Sequence, residues 1–215
     1  MGSGPSSFGT RTIRPKLSLK CTQRLSYKST TNSNYKNRIL HNVLDQQLNP
    51  DKPNQVWSTD ITDLPTREGW VCLAIVMDLH SRKIVGWSVA ARMTTALIMR
   101  ALQHASALRK PLRGLLHHSD RGSQYTSRTY REQFDDHGIK SAMIGKGNCY
   151  DNAVVERFFG GSKYEWLANV IHLTREGITT DVNQYINHNN GIKLHATLDY
   201  QIPNEYKNSQ IKVCN

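Results

Sequence analysis

The sequence predicts an α/β fold with a five-stranded mixed sheet flanked by helices. Three short segments rich in apolar residues lie between residues 56 and 89, and turn residues alone separate them, which indicates an antiparallel meander. Beyond residue 94, two segments with helical spacing alternate with two further short apolar segments. Three antiparallel strands followed by alternating helix and strand predict the mixed sheet.

The strands of the meander are predicted over Val56 to Thr62, Trp70 to Asp78 and Lys83 to Val89. Turn signals stand between them at residues 67–69 and 80–82. The second strand is apolar along nearly its whole length, whereas a half-exposed strand alternates between apolar and polar residues. Both faces of this strand are therefore predicted to be covered.

The helix after the meander is predicted to begin at Thr94 or Thr95, either of which can cap it, and to end before Pro111. Apolar residues recur in it at helical spacing and predict a stripe that packs on the sheet: Leu97, Ile98, Ala101, Leu102, Ala105 and Leu108.

The fourth and fifth strands are predicted at Leu115 to His118 and at Ile139 to Ile144. Between them lies a second predicted helix, which begins at Ser123 or Thr126 and ends near Gly138. This succession of elements is the ribonuclease-H-like order.

The composition bounds the kind of protein. The 215 residues suffice for one substantial domain, and no run of apolar residues is long enough to cross a membrane. The first residues lack the apolar core of a secretory signal, so the cytoplasm is the expected location. The four cysteines are far apart without a C-x-x-C pair, which favours free thiols over a zinc site. A net charge of +11 indicates a polyanionic partner.

The chain is predicted to divide into three parts. Residues 1–44 predict a basic, poorly ordered arm or truncated linker, which either is solvated or contacts phosphates. Residues 45–206 form the predicted catalytic core with a helical extension, whose last long helix is predicted from Thr174 to Asn187. Residues 207–215 form a tail.

Three carboxylates are predicted to converge in the core. Asp60 lies in the first strand, Asp120 follows the fourth strand, and Glu156 lies in the second turn of a helix that Asp151 or Asn152 can cap. Taken singly, Asp120 is as well explained by a turn, and Glu156 by an exposed helix position. Together, such oxygen ligands suit hard divalent cations, and a pair of ions can clamp a phosphodiester.

Four runs of residues carry a resemblance to a known family. They are Asn49-Pro50-Asp51-Lys52-Pro53-Asn54-Gln55-Val56-Trp57, Asp78-Leu79-His80-Ser81-Arg82-Lys83-Ile84-Val85-Gly86-Trp87, His117-His118-Ser119-Asp120-Arg121-Gly122-Ser123-Gln124-Tyr125 and Lys146-Gly147-Asn148-Cys149-Tyr150-Asp151-Asn152-Ala153. With 35 residues between Asp120 and Glu156, the chain resembles the DDE catalytic core of retroviral integrases and bacterial transposases. It is most similar to the OrfB transposases of the insertion-sequence-three family.

The resemblance implies a ribonuclease-H-like fold and a metal-dependent transposase. Asp60, Asp120 and Glu156 are then the catalytic residues and the ligands of two Mg²⁺ (or Mn²⁺) ions. DNA, both the element ends and the target, is the implied partner. The chain is expected to act on DNA as a homo-oligomer, to depend on a DNA-binding module from another reading frame, and to associate with the bacterial nucleoid.

Three basic residues are the predicted DNA contacts, through backbone phosphates: Arg121, Lys146 and Lys163. His118 is predicted to pack beside the carboxylates rather than to bind metal. The chain departs from the family pattern at Gly160-Gly161, where two glycines are expected to weaken the helix, and at residues 185–195, which are less basic. Two alternatives therefore stay open: a catalytically silent relic that binds DNA or forms mixed oligomers, and a ribonuclease-H-like nuclease.

Overall fold

A five-stranded sheet lies at the centre of the computed structural model, which describes residues 50–119, 134, 138–143, 153–167 and 172–206. The strands are β1 (Val56–Thr66), β2 (Gly69–Asp78), β3 (Ile84–Ala90), β4 (Leu116–Ser119) and β5 (Lys140–Met143). Their order across the sheet is β3-β2-β1-β4-β5. The first three pair antiparallel, while β4 runs parallel to β1 and β5 parallel to β4. The predicted mixed sheet is confirmed.

Within the described residues, the α-helices that accompany the sheet include α1 (Thr95–Arg109), α2 (Ala153–Ser162) and α3 (Arg175–Gly191). A π-helical segment, Lys163–Leu167, continues α2, and a 3₁₀ turn, Ala196–Leu198, follows α3. Of the two predicted caps of α1, Thr94 is the one that the structure confirms, because its side chain accepts a hydrogen bond from the backbone N–H of Leu97. Thr174, the predicted first residue of the last long helix, caps α3 through the backbone N–H of Gly177.

Each face of the sheet carries its own apolar core. On one face, α2 and α3 pack against alternate residues of β2, among them Leu73 and Ile75. On the other face, α1 packs against the intervening residues, among them Ala74 and Val76. Residues 71–78 are all buried, which confirms that both faces of this strand are covered.

The α1 stripe is confirmed except at its last position. Leu108 is 60% exposed, whereas the other five predicted residues are buried. In the last turn of the helix the inward position belongs to Arg109, whose guanidinium forms an ion pair with buried Asp78 at 2.9 Å. The prediction failed because a partnered arginine can occupy a buried place that spacing alone assigns to leucine.

The glycine pair that departs from the family pattern lies inside α2 and does not end it. A Cβ added at Gly161 would lie 3.1 Å from the Tyr185 hydroxyl and 3.3 Å from Lys193 Nζ. The absence of a side chain there permits α3 and the segment after it to approach α2 closely.

Several predicted elements lie outside the described residues: the arm at 1–44, the loop at 145–150 and the tail at 207–215. Of the second predicted helix, only buried Phe134 is described with its side chain.

Candidate active site

Asp60 lies in the middle of the central strand β1, where its side chain is partly exposed. Its Oδ1 accepts a hydrogen bond from the backbone N–H of Ile61 at 2.8 Å. On one side β1 pairs with β2, with Asp60 opposite Ile75. On the other side it pairs with the parallel strand β4. Asp60 is therefore held on a strand with neighbours on both sides.

The register between β1 and β4 bears directly on the second predicted carboxylate. Thr59 pairs with Ser119, so the residue before Asp60 lies opposite the residue before Asp120. Asp120 itself lies outside the described residues, as do Arg121 and Lys146, two of the predicted DNA contacts.

Glu156 lies in the first turn of α2, and its side chain is exposed. The neighbouring residues Val155, Phe158 and Phe159 are buried in the core that α2 shares with α3. This arrangement places the apolar face of α2 in the core and Glu156 outside it. It leaves the Glu156 carboxylate accessible to solvent.

Lys163 connects the carboxylate of β1 with the helix of Glu156. It lies seven residues after Glu156 and is the first residue of the π-helical segment that continues α2. Its side chain is half-buried. Burial lowers the pKa of Lys163, and the negative charges of Asp63 and Asp60 oppose this shift.

Asp63 is a further acidic residue of β1, and it was not predicted from the sequence to belong to the site. It pairs with Cys72 across the β1–β2 hairpin. Burial and then a hydrogen bond to the Asp63 carboxylate raise the pKa of the Cys72 thiol to about 11, so this free cysteine stays protonated at neutral pH. No sequence signal marked Asp63, because its role depends on the pairing of two strands.

Two adjacent histidines of β4 are buried just before Asp120 in the chain. His117 and His118 are both fully buried on β4. His117 Nε2 lies 2.7 Å from the Thr59 hydroxyl, and its ring contacts Phe134 with centroids 5.0 Å apart. Burial, and then the neighbouring His118, lower the pKa of His117 to about 3, so the imidazole is neutral. The contact between His117 and Thr59 joins β4 to the residue that precedes Asp60.

Asp78 begins the second of the quoted runs, and its role is structural. Its Oδ2 accepts hydrogen bonds from Arg109 Nη2 and from Ser81 Oγ, both at 2.9 Å. Its Oδ1 accepts from the backbone N–H groups of Asn54 and His80 at 3.3 Å. Two of the family-like runs thus pack against each other through this carboxylate.

Within the ranges that the structure describes, no three His, Cys, Asp or Glu side chains form a group able to hold a metal ion. Asp60 and Glu156 are the two described members of the predicted triad. No helix in the same ranges is long and apolar enough to cross a membrane.

The sequence and the fold of this chain both match one class of protein. Two family profiles, each described as an integrase core domain, match residues 50–149 and 137–203. The fold is similar to the catalytic core of HTLV-2 integrase, solved with magnesium, at a TM-score of 0.58 and 19% identity over 73% of this chain and 98% of that one. It is also similar to the BIV integrase core, at a TM-score of 0.55 and 14% identity over 75% and 99%. The chain belongs to the integrase core family.

Its relatives with higher sequence identity come from bacterial insertion elements. An uncharacterized 31 kDa protein of insertion element IS600 from Shigella sonnei is 41% identical over 81% of this chain and 64% of its own length. The InsF transposase of insertion sequence IS3A from Escherichia coli is 44% identical over 69% and 51%. The chain therefore spans about half to two thirds of the length of these relatives.

Proposed function

We propose that this chain is the catalytic core of an insertion-element transposase, which cleaves DNA and joins the cut strand to a target in a reaction that requires divalent metal. The observation that carries the proposal is the β1–β4 register, in which Thr59 lies opposite Ser119. It supports placing Asp120, which follows the carboxyl end of β4, beside Asp60 of the adjacent parallel strand β1.

The donor set fits a hard divalent cation. Asp60 is partly exposed on β1, Glu156 is exposed on α2, and the negative charge of Asp60 raises the pKa of Lys163 against the effect of burial. Asp60, Glu156 and, in our proposal, Asp120 would hold two Mg²⁺ or Mn²⁺ ions by their carboxylate oxygens. When bound, such ions lower the pKa of an attacking hydroxyl and neutralise charge on the leaving oxygen.

The remaining roles belong to basic residues and to partners. Arg121, Lys146 and Lys163 are proposed to contact backbone phosphates, with Lys163 nearest to the carboxylates. We also propose that the chain acts on DNA as a homo-oligomer in the bacterial cytoplasm, next to the nucleoid. End recognition is assigned to a DNA-binding module from another reading frame.

The test is strand transfer by Asp120→Asn and Asp60→Asn variants, assayed with a pre-cleaved terminal-repeat oligonucleotide and plasmid in Mn²⁺, with and without a supplied DNA-binding module. We expect each variant to lose more than about 100-fold in rate, because each removes a charged metal ligand whose contribution is several kcal/mol. Thermal unfolding should be nearly unchanged. The control is Asp51→Asn, an exposed aspartate that is not a predicted ligand.

Wild-type joining by Asp120→Asn would refute the triad. Two other outcomes identify the alternatives. Binding of DNA without joining, in either condition and in the unaltered chain, identifies a silent relic. Cutting confined to the RNA strand of a hybrid identifies a ribonuclease-H-like nuclease. Continuation of α2 across Gly160 and Gly161 favours an intact core, since the helix that carries Glu156 is not interrupted there.

A further inference from the structure

Three polar side chains from separate segments meet beside the π-helical segment that continues α2. Lys193, which follows α3, donates hydrogen bonds from Nζ to both carboxylate oxygens of Glu165, at 2.8 and 2.6 Å. Glu165 belongs to the π-helical segment, and Tyr185 belongs to α3. The Tyr185 hydroxyl donates to Glu165 Oε2 and accepts from Lys193 Nζ, both at 3.3 Å. We name these three residues the Glu165 cluster.

Tyr185 is the most buried member of the Glu165 cluster. It is 1% exposed, and its ring contacts Phe158 and Trp166 with centroids 5.5 and 6.0 Å apart. Burial, and then the charge of Glu165, raise the pKa of Tyr185 far above its ordinary range, so the hydroxyl keeps the proton that it donates. The Glu165 carboxylate is therefore held against the apolar core that α2 and α3 share.

Gly161 makes room for the Glu165 cluster. A Cβ on this residue would lie 3.1 Å from the Tyr185 hydroxyl, 3.3 Å from Lys193 Nζ and 3.6 Å from Glu165 Oε1. The chain departs from the family pattern at this glycine and again over residues 185–195, which contain Tyr185 and Lys193. The two departures meet in one place, where the first provides space that side chains of the second occupy.

The Glu165 cluster adjoins Lys163, a predicted DNA contact. Lys163 is the first residue of the π-helical segment, and Glu165 is the third. The charges of Asp63 and Asp60 act on Lys163, whereas Glu165 pairs with Lys193. A π-helical turn is wider than the α-helical turn before it, so the direction of the Lys163 side chain depends on whether this turn is maintained. An interaction that holds the turn therefore also holds Lys163.

The ion pair of the Glu165 cluster is partly exposed. The side chains of Lys193 and Glu165 are 28% and 47% exposed. Pairs this accessible contribute little to the stability of a fold, because water screens them and two long side chains lose rotamer freedom. A local rearrangement requires far less free energy than global unfolding, so the same small contribution can hold one helical turn. Loss of the pair should change the turn more than the stability.

We propose that Glu165, Tyr185 and Lys193 are positioning residues, which hold the π-helical turn so that the Lys163 ammonium group faces the DNA backbone. This inference rests on the proposed function, because it takes DNA as the ligand, but it requires neither metal nor strand transfer. Two effects of Glu165 on binding have opposite signs. Its negative charge alone repels a polyanion, whereas its positioning of Lys163 strengthens the binding.

The experiment measures the affinity of the full chain for a DNA duplex by fluorescence anisotropy, in EDTA and at fixed salt. We expect Glu165→Gln to weaken binding by about threefold to fivefold, although the variant is more positive, because the ion pair is lost. In a Lys163→Gln background the same change should cause no loss, because the positioned residue is absent. Lys193→Arg, which keeps the pair, should bind as the unaltered chain does.

The matched control is Glu176→Gln, which removes the same charge at an exposed position in the first turn of α3. It should bind DNA at least as tightly as the unaltered chain. The thermal unfolding midpoints of Glu165→Gln and Glu176→Gln should agree within about 4 °C.

Gly161→Ala is an independent variant, because it perturbs the Glu165 cluster without changing any charge. Alanine favours a helix over glycine, so helix propensity alone predicts no loss of affinity. The added Cβ should nevertheless displace Lys193 Nζ and weaken DNA binding about as much as Glu165→Gln does.

Binding by Glu165→Gln that equals or exceeds that of the unaltered chain would overturn the inference, since charge alone would then describe this residue. An equal loss with and without Lys163 would also overturn it. The same variants separate the inference from the proposed function. An unaltered chain that joins no DNA, but in which Glu165 and Lys163 are coupled in binding, refutes strand transfer and supports the positioning. Joining by the unaltered chain with additive effects of the two substitutions does the reverse.

Discussion

Burial decides the charge of His117, a residue next to the site. The imidazole is buried on β4, and its Nε2 lies 2.7 Å from the Thr59 hydroxyl. Burial lowers its pKa from the ordinary 6.5 to about 3. Thr59 immediately precedes Asp60, so the neutral ring belongs to the framework that holds this carboxylate. A protonated His117 would place a charge beside His118 in the buried interior.

This depressed pKa predicts a loss of stability in acid. Between pH 6.5 and about 3, the unfolded chain takes up a proton at His117 that the folded chain does not. The free energy of unfolding should therefore fall as the pH is lowered through this window, by up to about 1.4 kcal/mol per pH unit. Urea denaturation at pH 7, 6 and 5 should show this slope in the unaltered chain and a shallower slope in His117→Gln. Identical slopes would contradict it.

A second residue-scale prediction concerns the buried ion pair between Asp78 and Arg109. Arg109→Met removes the cation that pairs with the fully buried carboxylate of Asp78. The free energy of unfolding, measured by urea denaturation, should fall by roughly 3–5 kcal/mol. Arg100→Met, at an exposed position of the same helix, should cost less than about 1 kcal/mol. Equal losses in the two variants would show that the pair contributes nothing beyond an ordinary surface arginine.

Small residues allow α1 and the sheet to pack closely against each other. Gly86 in β3 lies directly beneath α1, and a Cβ there would overlap the carbonyl oxygen of Ala101 and lie 2.7 Å from the Cβ of Ala105. Since both obstacles belong to the α1 backbone or its shortest side chains, they cannot move without moving the helix. The glycine therefore sets the distance between α1 and the sheet.

Gly86→Ala should destabilise the fold by roughly 1–3 kcal/mol or more, through overpacking between α1 and β3. Thermal and urea unfolding measure the loss. Gly191→Ala provides the control, because its added Cβ would meet its nearest neighbour, Asn204, at an ordinary 3.4 Å. A Gly86→Ala variant as stable as Gly191→Ala would mean that α1 can move away from the sheet without cost.

Under the proposed function, the net charge of +11 of the chain would favour its binding to DNA. Binding through phosphates releases counterions, so the affinity should fall steeply and linearly in a plot of log affinity against log salt. Lys163→Gln should weaken binding to all sequences alike and reduce the slope by about one. Fluorescence anisotropy with terminal-repeat and unrelated duplexes measures both. A salt-independent affinity, or a strong preference for the repeat by this chain alone, would contradict this.

Local patterns along the chain determined the elements. The apolar run of β2, the spacing in α1 and the threonines at its start predicted a covered strand, the helix and its cap, because side-chain period and capping act over a few residues. Asp60 and Glu156 were named as site residues from their places on a strand and a helix together with the family resemblance, and their role as metal ligands stays a prediction.

Contacts between residues distant in the chain were decided by the tertiary structure alone. Leu108 is exposed, and Arg109 takes the inward position, where it contacts Asp78, 31 residues away in the chain. Asp63 pairs with Cys72 across two strands, and its charge acts on Lys163, 100 residues further along the chain. No sequence period or motif predicts contacts between residues so far apart in the chain, because burial and charge balance depend on which surfaces the folded chain brings together.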